Sequence, residues 1–198
     1  ASTAAYGDYL DAVERHDVTL YEVQAGDTLS PGNATVRFVN PPAERVSEDL
    51  HDNAASFVVS YGGTAFLFTG DAEASTEDRL VERHADALAA DVYQAGHHGS
   101  STSASDAFLD AVGPTKVVIS SALDSQYDHP HEEVLRRFAD RGYETYWTAV
   151  HGTVTMVSDG RSVSVTTEQA GPTDPLELLD RKQATPSASL VGPHSLVA

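Results

Sequence analysis

The chain has 198 residues, 40% of them hydrophobic, enough to bury a core, and no cysteine, which excludes disulfides and thiolate metal sites. Acidic residues number 30 against 12 basic ones, a formal charge of −18 that repels nucleic acid at low salt. No apolar run approaches the roughly twenty residues that cross a bilayer, so this segment does not insert into a membrane by a helix.

In chain order, Tyr6 to Asp17 places Leu10 and Val13 three apart among polar residues and predicts a short helix. Val18–Val23 and Ala34–Asn40 read as strands separated by the turn-rich "AGDTLSPGN", and Pro41-Pro42 closes the second. A polar loop, "AERVSEDLHDNAAS", leads into "FVVSYGGTAFLFTGD", where Tyr61-Gly62-Gly63-Thr64 between two apolar runs predicts a hairpin. Ser75, with Asp78 three residues on, starts a helix whose apolar face is Leu80, Val81, His84 and Leu88. "DVYQAG" is the next strand, and Ser103 and Asp106 start a helix carrying Phe108, Leu109 and Val112. After the strand "TKVVISSA", Pro130 opens a fourth helix at its favoured first position, with Glu132 and Glu133 at the positive end. Val134, Leu135 and Phe138 form its buried stripe, and Gly142 ends it. "YETYWTA" and "GTVTMVS" are expected to pair near His151-Gly152, with "RSVSVTT" adding a third strand.

From Gly171 the texture changes. Pro172, Pro175, Pro186 and Pro193 among Ser and Ala predict a disordered tail, apart from a helical turn at "PLELLDRK". Residues 1–168 are therefore expected to form one domain and 169–198 the tail. A β-rich start followed by alternating strand and helix places the body in the α/β class, a layered sheet with helices on its outer face.

The chemistry concentrates where strands end. Asp71 follows one strand, His97 and His98 the next, and Asp128-His129-Pro130-His131 a third. In a layered α/β sheet such ends converge on one edge, where loops build the site. Neutral imidazole with carboxylate is the donor set of zinc, manganese or iron. His16, His51, His84, His151 and His194 carry no signal that separates them from ordinary surface histidines. A serine hydrolase built on Ser100 or Ser101 beside His98 is disfavoured, because no Gly-x-Ser-x-Gly elbow is present.

The stretches "NAASFVVSYGGTAFLFTGDAE", "ADVYQAGHHGSSTSASDAFLDAVGPTKVVIS" and "YDHPHEEVLRRFADRGYETYWTAVHGTVTM" resemble the metallo-β-lactamase superfamily, nearest its ComEC-type DNA-uptake subgroup. The resemblance covers about Tyr6 to Asp159. It implies the C-terminal part of an αββα sandwich with one or two metal ions, zinc first, at the edge between its sheets. Asp71 matches the bridging carboxylate, His97 or His98 a downstream ligand, and His129 and His131 an HPH element that supplies a ligand, a phosphate contact or a proton donor. Asn53 and Ser56 match an N-x-x-S element lining the site, and Ser100 falls beside it as a substrate contact. The implied activity is hydrolysis of a phosphodiester, DNA included, by a metal-activated hydroxide, with Asp71, His98 and His129 as the catalytic set.

One departure qualifies that implication. The superfamily's His-x-His-x-Asp-His signature is absent, as though the N-terminal half of the fold lay elsewhere. A separate N-terminal half, or a membrane channel domain carrying that signature, is the partner this implies, and it would tether the segment to a membrane or hold it outside the cell. Without it the alternative is a non-catalytic remnant or binding module that cannot assemble the metal centre. The acidic composition, with only Lys116 and Lys182 as lysines, resembles that of proteins from salt-loving microbes. Near 1 M salt the screening length falls to about 3 Å, so a phosphodiester substrate there is held mainly through metal ions.

Overall fold

The computed structural model describes residues 3–184. Its elements are α1 (Ala4–Arg15), β1 (Thr28–Leu29), β2 (Thr35–Asn40), β3 (Ser56–Tyr61), β4 (Thr64–Phe68), α2 (Ala74–Leu88), β5 (Val92–Gln94) and α3 (Asp106–Val112). These are followed by β6 (Lys116–Ile119), α4 (Glu132–Asp140), β7 (Glu144–Trp147), α5 (Thr148–His151), β8 (Val154–Ser158), β9 (Val163–Thr167) and α6 (Pro175–Ala184). The layered α/β class expected from the sequence is the one observed.

Strands β1 to β7 form one sheet in chain order, antiparallel through β4 and parallel from β4 to β7. Each parallel step is bridged by a helix, because parallel neighbours need a crossover. The alternation of side chains sends Leu67, Tyr93, Val117 and Thr145 to one face, all fully buried beneath the helices. Leu80 and Leu88 of α2, Phe108 and Leu109 of α3, and Val134, Leu135 and Phe138 of α4 complete that core. The opposite face presents Phe66, Phe68, Val92 and Val118, which line a cavity with Val154 and Met156 of the β8–β9 ribbon. Hence the layers run helices, large sheet, two-stranded sheet.

The hairpin expected at Tyr61–Thr64 joins β3 to β4, with Gly62 at φ +59°. A side chain at Gly62 would collide with the backbone of Gly160, whose carbonyl accepts from Gly63 N–H at 2.7 Å. That contact pins the β8–β9 turn against the large sheet.

Three expectations change. Val18–Val23 forms no strand, and Val18, Leu20 and Tyr21 are exposed; the pairing partner of β2 is instead Thr28–Leu29, inside the segment read as a turn. β7 joins the large sheet beside β6, so β8 pairs with β9 and not with β7. Most consequential is the expected tail. Within the described part, residues 169–184, Thr173 accepts from the Thr145 N–H at 2.8 Å and α6 packs on α4 and β7, burying Leu178 and Leu179. The apolar pair inside "PLELLDRK" is enough to dock one helix; residues 185–198 lie outside the described part.

Candidate metal centre

Parallel strands put their carboxyl ends on one edge, so the segments after β4, β5 and β6 meet there. Asp71 and Glu73 follow β4, with Glu73 at the N-cap of α2. His97 and His98 follow β5 in a single 3-10 turn, Gly96–Gly99, both in the left-handed region at φ +48° and +59°. That conformation is uncommon for a residue with a Cβ. It is held by His97 N–H donating to the Gly70 carbonyl at 3.0 Å and by Ser100 N–H donating to the His97 carbonyl at 3.0 Å.

The tightest cluster is His51, Glu73 and His97, whose ligand atoms all lie within 4.8 Å of one another. Glu73 Oε1 is 3.3 Å from His97 Nδ1 and 3.6 Å from His51 Nδ1. Tetrahedral ligands about 2.0–2.2 Å from a zinc ion stand roughly 3.3–3.6 Å apart, so both spacings from Glu73 match a His₂Glu set, and the two imidazoles lie within 4.8 Å of each other. Thr102 Oγ1 donates to Glu73 Oε1 at 3.1 Å, an outer contact of the kind that orients a ligating carboxylate. The loop carrying His51 is fastened from behind. Arg79 of α2 donates to the Asp52 carbonyl and to Asn40 Oδ1, and Asn40 Nδ2 donates to the carbonyls of Asp52 and Ala54. Asp52's carboxylate accepts from Ser47 and Ser75, and these hydrogen bonds hold it below the ordinary aspartate range.

Beside the triad stands a second pair. His98 Nε2 is 3.8 Å from Asp71 Oδ1, while His98 Nδ1 lies 2.8 Å from the Ser120 carbonyl. A carbonyl only accepts, so Nδ1 carries a proton and Nε2 is the nitrogen turned toward Asp71, the one through which a metal-binding histidine with this Nδ1 contact would ligate. His129 lies between the two groups, its ring centroid 5.6 Å from that of His97 and 6.4 Å from that of His98. Burial first, then the neighbouring imidazoles His131, His97 and His98, and finally Lys182 press its pKa below the ordinary histidine value. His129 is therefore a neutral imidazole at neutral pH.

The other residues singled out from sequence take structural places. His131 Nδ1 accepts from Ser101 N–H at 2.8 Å, so its proton sits on Nε2 and goes to the Tyr127 carbonyl at 3.1 Å. Both nitrogens are engaged, and His131 ties the HPH turn to the GHHGS loop with no lone pair left for an ion. Asn53 Nδ2 donates to the carbonyls of Ser47 and Asp49, closing the 47–53 loop. Ser56 is buried at the start of β3, its hydroxyl against the Thr69 carbonyl at 3.3 Å. Ser100 is buried too and bonds Thr102, not a histidine, as a serine nucleophile would require. Sequence reasoning left His51 out of the candidate ligands and gave Glu73, the last residue of the stretch ending in "TGDAE", no role. A cleft lined by Gln24, Pro42, Arg45 and Asn53 lies away from this edge; convergent donors mark the site.

No family model matches the chain. Over 113 residues it is 40% identical to Competence protein ComA of Neisseria gonorrhoeae, covering 56% of this chain and 16% of that protein. Over 147 residues it is 29% identical to ComE operon protein 3 of Bacillus subtilis, covering 73% of this chain and 18% of that protein. Among solved structures it is similar to CmlA, a diiron β-hydroxylase from Streptomyces venezuelae, with a TM-score of 0.45 and 17% identity over 64% of this chain and 33% of that one. The chain spans less than a fifth of the length of either the Neisseria or the Bacillus protein. It is similar to one segment of each.

Proposed function

We propose that the chain is a metal-dependent hydrolase domain that cleaves phosphodiester bonds, with DNA as the substrate class that its competence-protein relatives suggest. The observation that carries this reading is the ligand-like spacing of His51, Glu73 and His97, set beside the Asp71–His98 pair. His51, Glu73 and His97 would hold one ion, zinc by donor type with manganese or iron as alternatives, and Asp71 and His98 would contribute to a neighbouring position. An ion held there supplies Lewis acidity toward a phosphoryl oxygen and makes a water molecule more acidic.

The chain's own residues divide the remaining work. Thr102 orients Glu73, and the Ser120 carbonyl fixes the tautomer of His98. His129, kept neutral by its surroundings, is the proton carrier: it takes the proton that water sheds and returns it to the oxygen released when the P–O bond breaks. A segment or partner chain carrying His-x-His-x-Asp-His is the source of further ligands to the Asp71–His98 pair. The alternative of a non-catalytic binding module rested on too few ligands, and His51 raises the number at one ion to three.

Turnover of bis(p-nitrophenyl) phosphate with zinc or manganese, before and after chelation, tests the reading. Chelation should abolish turnover, and His129→Ala should lower kcat by about 100-fold or more, the usual contribution of a general acid–base group. Equal activity with and without chelator would overturn it.

A further inference from the structure

The direction in which His129 leaves its turn is set by the backbone of Asp128, the residue before it. Asp128 stands at φ +58°, a left-handed conformation that is unfavourable for a residue with a Cβ. On its inner side the turn is pressed against the site. A Cβ at Gly99 would lie 2.7 Å from that of Pro130, and His131 N–H donates to the Gly99 carbonyl at 2.9 Å. The outer side is held from 54 residues away in the chain. Lys182 Nζ donates to the Asp128 carbonyl at 2.8 Å and pairs with its carboxylate at 2.7 Å, with only 12% of the lysine side chain exposed.

Lys182 follows Leu178 by four residues and Leu179 by three, so it shares the face by which α6 is docked. One residue on, Gln183 Nε2 donates to Glu132 Oε2, at the start of α4, at 3.4 Å. The last turn of α6 therefore grips the chain on either side of His129-Pro130-His131.

We infer that α6 braces the HPH turn and that Lys182 is a positioning residue, acting through Asp128 to hold the His129 ring between those of His97 and His98. This rests on the reading of His129 as the proton carrier of a hydrolase, and it adds the remote element on which that carrier's placement depends. Proton transfer requires hydrogen-bond reach, and a misplacement of about 1 Å costs up to about 100-fold in rate. An ion pair with one exposed partner, in contrast, contributes little to folding. Loss of the clamp thus separates position from stability.

The test compares zinc-loaded full chains in the bis(p-nitrophenyl) phosphate assay, with amide hydrogen exchange over residues 125–131 as a second readout. Lys182→Met should lower kcat by about 10-fold or more while KM stays within about 2-fold. It should also quicken exchange of the Asp128 and His131 amides, which donate to the Ser125 and Gly99 carbonyls, by about 2- to 5-fold. Lys182→Arg, whose fork can span the same two oxygens, should recover most of kcat. Arg141→Met removes comparable pairs with Asp106 and Asp110 at the opposite end of α4 and should leave kcat unchanged. Unchanged kcat or unchanged exchange in Lys182→Met would overturn the brace, as would an equal fall in kcat in Lys182→Arg or Arg141→Met. If the native chain turns nothing over, the hydrolase reading falls and exchange alone decides: quickened exchange in Lys182→Met upholds the brace, and unchanged exchange overturns it.

Discussion

Replacing Leu178 by alanine probes whether the C-terminal segment belongs to the folded body. Leu178 is fully buried between α6, α4 and β7. The substitution removes three carbons, about 2.4 kcal/mol at roughly 0.8 kcal/mol per buried CH₂. A cavity adds to that, so the loss should fall in the ~2–5 kcal/mol range of buried leucine truncations. For a chain of this length about 3 kcal/mol corresponds to a fall in Tm of roughly 6–12 °C. Urea unfolding read by circular dichroism gives the free energy, and a scan gives Tm. Leu176, on the exposed side of the same helix, is the control and should change stability by less than about 0.5 kcal/mol when made alanine. A hanging tail predicts no difference between the two variants. A loss below ~0.5 kcal/mol for Leu178→Ala would refute the packing of α6.

Other outcomes follow from particular contacts. Glu77 is buried with its carboxylate accepting from the N–H groups of Ala104 and Ser105; desolvation outweighs those bonds and raises its pKa above the usual 4.5. The folded state then binds the proton more tightly than the unfolded one, so Glu77's contribution is complete below pH 4.5 and is lost as pH rises through its folded pKa. The stability of the native chain minus that of Glu77→Gln should therefore fall as pH rises above 4.5; a difference that rises would contradict the burial. Lys182→Met should cost at most about 1 kcal/mol in urea unfolding, because its partner Asp128 is exposed, and a loss of about 3 kcal/mol or more would show that the pair is desolvated. Finally, raising salt from about 0.1 to 1 M should raise Tm by screening repulsion among the surplus carboxylates, and a falling Tm would show that surface repulsion is not a significant cost.

Much of the fold was legible because its signals are local. The Gly62-Gly63 hairpin, the alternation of strand and helix, and the placement of Asp71, His97, His98 and His129 just beyond strands can all be read from a few adjacent residues. His51 was not legible, since it reaches the edge only through Arg79 and Asn40 gripping the loop from other elements. The structural role of His131 was hidden for a similar reason: its two partners, Ser101 and Tyr127, are fixed by how two loops dock. Composition misled at both ends of the chain. Apolar residues at Val18–Val23 suggested a strand that finds no partner, and prolines obscured the two leucines that dock α6.

Equilibrium dialysis against zinc followed by metal analysis is the most direct test of the centre itself. The native chain should retain about one ion or more, and the His51→Ala, Glu73→Gln, His97→Ala variant should lose the ion of that site while keeping its fold by circular dichroism. Retention of the same amount of metal by that folded variant would show that these three side chains do not form the site.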